Sequence, residues 1–114
     1  MSGHAAGGNC GGLGCESVGA VDSRSSTISG NVSDGAGGGR AAGNVTTLQF
    51  NNVTVASNTA DSDADDIGDG GGLWSDSASA SIQNSILATN QDLSTGFGVD
   101  APDCSALALS LIHI

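Results

Sequence analysis

The stretch Asp61-Ser62-Asp63-Ala64-Asp65-Asp66-Ile67-Gly68-Asp69 places five carboxylates in nine residues. Carboxylates at the alternate positions 61, 63 and 65 converge on the inside of a tight loop. The Ile67 backbone carbonyl and Asp69 follow at the next two odd positions. Hard oxygen donors in that order suit calcium, which takes about six to eight oxygens at roughly 2.3–2.6 Å. The expected ligand set is therefore Asp61, Asp63, Asp65, Ile67 and Asp69, with calcium as the cofactor. Two positions depart from such a loop. Asp66 stands where the sharp turn takes glycine, and Gly72 stands at the twelfth position, where a bidentate glutamate would sit. The competing reading is a solvated acidic loop, whose carboxylates repel one another in the absence of a cation.

Other reactive groups are sparse. Cys10, Cys15 and Cys104, with His4, match no zinc spacing. A Cys10–Cys15 disulfide is sterically feasible and suits an oxidising compartment. The alternative is three unpaired small residues. Lyase or hydrolase chemistry needs an Arg or Lys base beside calcium carboxylates, or an acid/base carboxylate pair. Arg24 and Arg40 are the only Lys or Arg residues, and the one Asp-Asp pair, Asp65-Asp66, lies in the acidic stretch. His4 sits close to the start of the chain. No catalytic residue is assigned, and the chain reads as a non-enzyme. Trp74 could stack on a sugar ring or cover the backbone beside a glycine cluster. Asn31-Val32-Ser33, Asn44-Val45-Thr46 and Asn52-Val53-Thr54 fit the N-glycosylation pattern, which arises readily in an Asn/Thr-rich chain.

The elements that must position these groups are repeated. Ser25–Asn31, Asn52–Asn58 and Asn84–Asn90 align, and their last asparagines are 27 and then 32 residues apart. A glycine cluster precedes each at a nearly fixed distance: Gly12 to Asn31 is 19, Gly39 to Asn58 is 19, and Gly72 to Asn90 is 18. The units thus run near 12–31, 39–58 and 72–90, and the acidic insertion 61–69 accounts for the longer second interval. Leu48, Phe50, Val53 and Val55 alternate with short polar residues, while Ala80, Ile82, Ile86 and Leu87 occupy the next unit. Period-two alternation, with glycine in every unit, predicts short strands with one buried face. Stacking units about 4.8 Å apart would pair each strand with its equivalents. Asn31, Asn58 and Asn90 would then form a ladder of amides at corners where asparagine tolerates left-handed backbone.

Composition excludes other classes. Two cations oppose twelve acids, giving a net charge of −10, so no basic footprint for nucleic acid exists. No apolar run approaches the ~20 residues of a membrane helix, and no membrane insertion is expected. Residues 1–9 read as a frayed or non-native start without a secretion signal. The last residues, Leu109-Ser110-Leu111-Ile112-His113-Ile114, resemble a translated sequencing adapter, so 109–114 are expected to be an artefact; a short apolar strand is the alternative. With no cap visible at either end, the chain alone is expected to fold poorly or to associate end to end through open strand edges.

The units Ser26-Thr27-Ile28-Ser29-Gly30-Asn31 and Asn52–Ala60, followed by Gly70-Gly71-Gly72-Leu73-Trp74, resemble right-handed parallel β-helix repeats. More narrowly, they resemble the bacterial choice-of-anchor and polymorphic outer membrane protein-like group, over residues 10–108. Asn84–Asn90 and Ala101-Pro102-Asp103-Cys104-Ser105 are similar to the closing stretch of such domains, and the Asp61–Asp69 loop resembles the calcium repeats of thrombospondin type 3 and dockerin modules. Ser23, Ser25 and Arg40 depart from the repeat and predict a weakly packed first unit. The resemblance implies an all-β chain: a right-handed parallel β-helix (β-solenoid) of about three to four coils, truncated, in an extracellular or cell-surface, outer membrane-associated setting. It implies a structural or adhesive role toward extracellular carbohydrate or other surface proteins, and no reaction. The runner-up is a fragment of a polysaccharide lyase or glycoside hydrolase whose catalytic coils are missing.

Overall fold

A computed structural model describes residues 2–8, 11–12, 20–43, 47–76, 79–95, 102–106 and 109–112. Cys10, Cys15 and the disulfide considered between them lie outside the described residues, as does the 44–46 acceptor site. The chain is all-β, with no helix among the described residues. Its strands are β1 (Ala5–Ala6), β2 (Ala20–Arg24), β3 (Thr27–Ser29), β4 (Val32–Ser33), β5 (Arg40–Ala42), β6 (Thr47–Asn51), β7 (Thr54–Ala56), β8 (Thr59–Ala60), β9 (Leu73–Ser75), β10 (Ser79–Gln83), β11 (Ile86–Ala88), β12 (Gln91–Asp92), β13 (Cys104–Ala106) and β14 (Leu109–Ile112).

Every ladder between these strands is parallel. From β2 onward each strand pairs with the one four places later, which gives four sheets: β2-β6-β10-β14, β3-β7-β11, β1-β4-β8-β12 and β5-β9-β13. The chain therefore visits the sheets in one fixed order. Gly11 and Gly12 donate to the Gly37 and Gly38 carbonyls, placing that stretch beside the segment that leads into β5. The 109–114 segment, expected to be foreign, contributes β14, whose backbone pairs with β10 from Ala80↔Leu109 to Gln83↔Ile112.

Strand register sorts the side chains. Leu48 stands between Val21 and Ala80, Phe50 between Ser23 and Ile82, and Val55 between Ile28 and Leu87. Leu48, Phe50, Ile82, Val53, Val55, Ile28, Leu73, Ala42 and Ala80 make one buried cluster, with Val21, Leu87 and Cys104 half-buried at its margins. The core is narrow, and these few large side chains fill it. Ile86 was expected among the packed positions. It aligns instead with Thr54 and Thr27 on the outward row of β7 and β3, and is 56% exposed.

The first two corners each turn on one left-handed residue. Ser25, Asn52 and Asn84 occupy equivalent positions between the first and second sheets, and all have φ near +50°. Gly30, Ser57 and Thr89 do the same between the second and third. The left-handed residue at the second corner is thus the one before each ladder asparagine. Asn31, Asn58 and Asn90 are not left-handed themselves; the bend ahead of them turns their side chains inward. Ser25, read as a departure, fills a left-handed position as its asparagine equivalents do.

Candidate metal cluster and asparagine ladder

The ladder is formed from buried amides. Asn31 and Asn58 are fully buried and Asn90 nearly so. Asn31 donates its main-chain N–H (3.0 Å) and Nδ2 (2.9 Å) to Asn58 Oδ1. Asn58 does the same to Asn90 Oδ1, at 3.0 and 2.9 Å. The remaining Nδ2 hydrogens of Asn58 and Asn90 go to the Ile28 and Val55 carbonyls, each at 3.0 Å. A buried amide left unpaired would cost far more than one net hydrogen bond contributes, so the ladder fixes the stacking register at this corner. Its outer members are also satisfied. The His4 N–H donates to Asn31 Oδ1 (3.1 Å), and Asn90 donates through Nδ2 (2.9 Å) and its N–H (3.3 Å) to Asp103 Oδ1. Neither His4 nor Asp103 was expected in the ladder from the sequence. The ladder spacing of 27 and 32 residues gave no signal for a partner 13 residues away.

The acidic insertion forms the adjacent corner, between β8 and β9. Its ends are tied into the stack rather than bulging free. The Asp61 and Ser62 amides donate to the Gly35 and Ser33 carbonyls, the Asp69 carbonyl accepts from the Gly37 N–H, and the Gly68 carbonyl accepts from Ser94 Oγ. Asp61 is buried, and its two carboxylate oxygens accept the Asp65 (3.0 Å) and Asp66 (3.2 Å) N–H groups. Asp65 in turn accepts from the Ile67 N–H. Ligand oxygens of Asp61, Asp63 and Asp65 lie within 4.8 Å of one another, a separation that one calcium could bridge. Asp69 falls outside that group, and Ile67 is 70% exposed. The Asp63 carboxyl is held above its ordinary value, first by partial desolvation and then by the negative Asp65, Asp34 and Asp61.

The other candidate groups lie outside the Asp61, Asp63 and Asp65 group. Arg40 is buried, in a row with Leu73 and Cys104 on β5, β9 and β13. Its side chain is thus packed, although the residue departs from the repeat. Arg24 pairs with its neighbour Asp22 at 2.7 Å on the exposed face of β2. Its hydrogen bonds to Asp22 hold that carboxyl below the ordinary value. The pair rims a shallow depression of about 70 Å³, floored by Gln49, Asn51, Ser81 and Gln83 on the outer side of the first sheet. Trp74 is half-buried with its ring against Gly43, so it covers backbone. Cys104 is a free, half-buried thiol, pushed up to about 11 by burial and by Asp103. No helix among the described residues is long and apolar enough to cross a membrane. The chain matches no family model, no curated protein and no solved structure.

Proposed function

We propose that this chain is a non-catalytic structural or adhesive segment of a parallel β-solenoid, the right-handed parallel β-helix expected from the repeats, and that it works at the cell surface or outside the cell. The single observation that supports this reading is the fixed order in which the chain visits four parallel sheets, each strand from β2 on pairing with the strand four places later. A chain wound this way buries its backbone polar groups between units and presents polar rows outward. Asp22, Gln49 and Ser81 form one such row, and Arg24, Asn51 and Gln83 the next. These hydroxyls, amides and one ion pair suit hydrogen bonding to carbohydrate or to another surface protein.

Calcium belongs to the same reading, held by Asp61, Asp63 and Asp65, where it would relieve carboxylate repulsion and fix the corner. Isothermal titration of the chain with calcium should show saturable heat that Asp63→Asn abolishes. Absence of heat at millimolar ion removes calcium from the reading and leaves the segment's structural role standing.

The runner-up, a piece of a polysaccharide lyase or hydrolase, is favoured by the polar depression on the first sheet. Incubation of the chain with a panel of neutral and acidic polysaccharides separates the two. The structural reading expects retention on one or more of them with no new reducing ends and no unsaturated product. Appearance of either product would overturn it.

A further inference from the structure

We propose that Asp103 is a stop for the asparagine ladder, a residue that ends stacking at this corner instead of continuing it. The argument starts from glycine. Gly39 precedes Arg40 and Gly72 precedes Leu73, while Asp103 precedes Cys104 in the same register row, so Asp103 stands where the earlier units have glycine. Main-chain bonds keep that correspondence: the Gly39, Gly72 and Leu73 N–H groups donate to the Gly71, Pro102 and Asp103 carbonyls. A Cβ added at Gly12, Gly39 or Gly72 would come within 2.7, 2.8 and 2.7 Å of Nδ2 of Asn31, Asn58 and Asn90, respectively. In each of these units, glycine and asparagine share one slot that holds a single side chain, and the asparagine fills it. In the last layer Asp103 fills the slot from the glycine side, and its Oδ1 receives both donors of Asn90.

The chemistry of the substitution sets the consequence. An asparagine amide accepts from one neighbour and donates to the next, so it transmits the ladder. An ionised carboxylate only accepts. A further amide layer would present its Oδ1 toward Asp103, acceptor against acceptor, with no proton between them. At the opposite end Asn31 Oδ1 takes the His4 N–H, one donor where the Asn58 and Asn90 oxygens each take two. At the Asp103 end, a second copy stacking end to end would meet an unmatched acceptor. The chain itself continues past Asp103 into β13 and β14, so the stop acts on this corner and not on the first sheet.

Two variants of the full chain test this, read by side-chain amide hydrogen exchange in NMR and by sedimentation velocity. Asp103→Gly restores the residue type of the earlier units but removes the acceptor. Exchange of the Asn90 side-chain amide should accelerate about tenfold, the factor that corresponds to one lost hydrogen bond to a charged acceptor. Asn58 should keep its protection. Unchanged Asn90 exchange overturns the proposal. Asp103→Asn keeps the acceptor and adds a donor. It should preserve Asn90 protection while making the sedimentation coefficient rise with concentration more steeply than in the parent chain. Identical sedimentation of Asp103→Asn and the parent over the same concentrations also overturns it.

Discussion

Asn58 both donates and accepts at the centre of the ladder, so its truncation strands partners on two sides. Asn58→Ala leaves Asn90 Oδ1 and the Asn31 donors facing a void, and should cost about 3 kcal/mol. Urea denaturation should show a lowered midpoint at unchanged slope. Asp63 works in the opposite sense. Its folded-state carboxyl holds its proton more tightly than the ordinary value of 3.8, so its contribution favours folding below that value and is lost as pH rises through the raised one. At neutral pH the ionised group is therefore a penalty. Asp63→Asn should raise the melting temperature at pH 7 in the absence of calcium, and the gain should vanish as the pH falls below 3.8. A gain that persists in acid would show that charge is not its cause. Cys104 supplies a third test at this scale. With its thiol pushed up to about 11 against an ordinary 9.0, the thiolate fraction at pH 8 should be about a hundredfold below that of a free cysteine. In a Cys10→Ser, Cys15→Ser background, reaction with a disulfide reagent should be slowed accordingly and restored in urea.

Between residues, the glycine pairs that lead into β5 and β9 decide how closely successive units approach. A Cβ on Gly71 would stand 2.0 Å from the Gln91 carbonyl oxygen and 2.6 Å from that of Pro102, both backbone atoms of neighbouring segments that cannot swing aside. Gly71→Ala should therefore destabilise by about 3 kcal/mol, the upper range for overpacking. Gly8→Ala, where a Cβ meets nothing within 4 Å, should be within ~0.5 kcal/mol of the parent. Thermal melts of the pair, followed by circular dichroism, provide the comparison. These elements also mark how far the sequence could be read. The alternation of Leu48, Phe50 and Val55 announced the inward rows, and the spaced asparagines announced the ladder, because both signals repeat. What the sequence did not disclose falls where the repeat breaks. Asp103 replaces two residue types at once at an irregular distance. Ile86 looked like a core residue by type, but the register places it on an outward row. The acidic loop was legible as a carboxylate cluster. That Asp61 is buried, with both oxygens on its own loop's amides, depends on contacts with residues 33–37 that no local pattern encodes.

At the scale of the molecule, three corners join the third sheet to the fourth. They connect β4 to β5, β8 to β9 and β12 to β13, and the first two span residues 34–39 and 61–72. The first is about half as long as the second, yet the strands on either side keep parallel register through all of them. Chain length is thus absorbed outside the ladders, in the same way that the acidic insertion lengthens one interval without moving an asparagine. Doubling a loop costs only about 0.6 kcal/mol in closure entropy. An insertion of ten Gly/Ser residues after the exposed Ile67 should therefore lower unfolding stability by under ~1 kcal/mol in a urea titration. The same length placed after Ser81, inside β10, should prevent folding. That side of the molecule is in effect a mounting rail: foreign peptides could be carried there at successive heights, held a fixed strand spacing apart by a body that does not register what it carries.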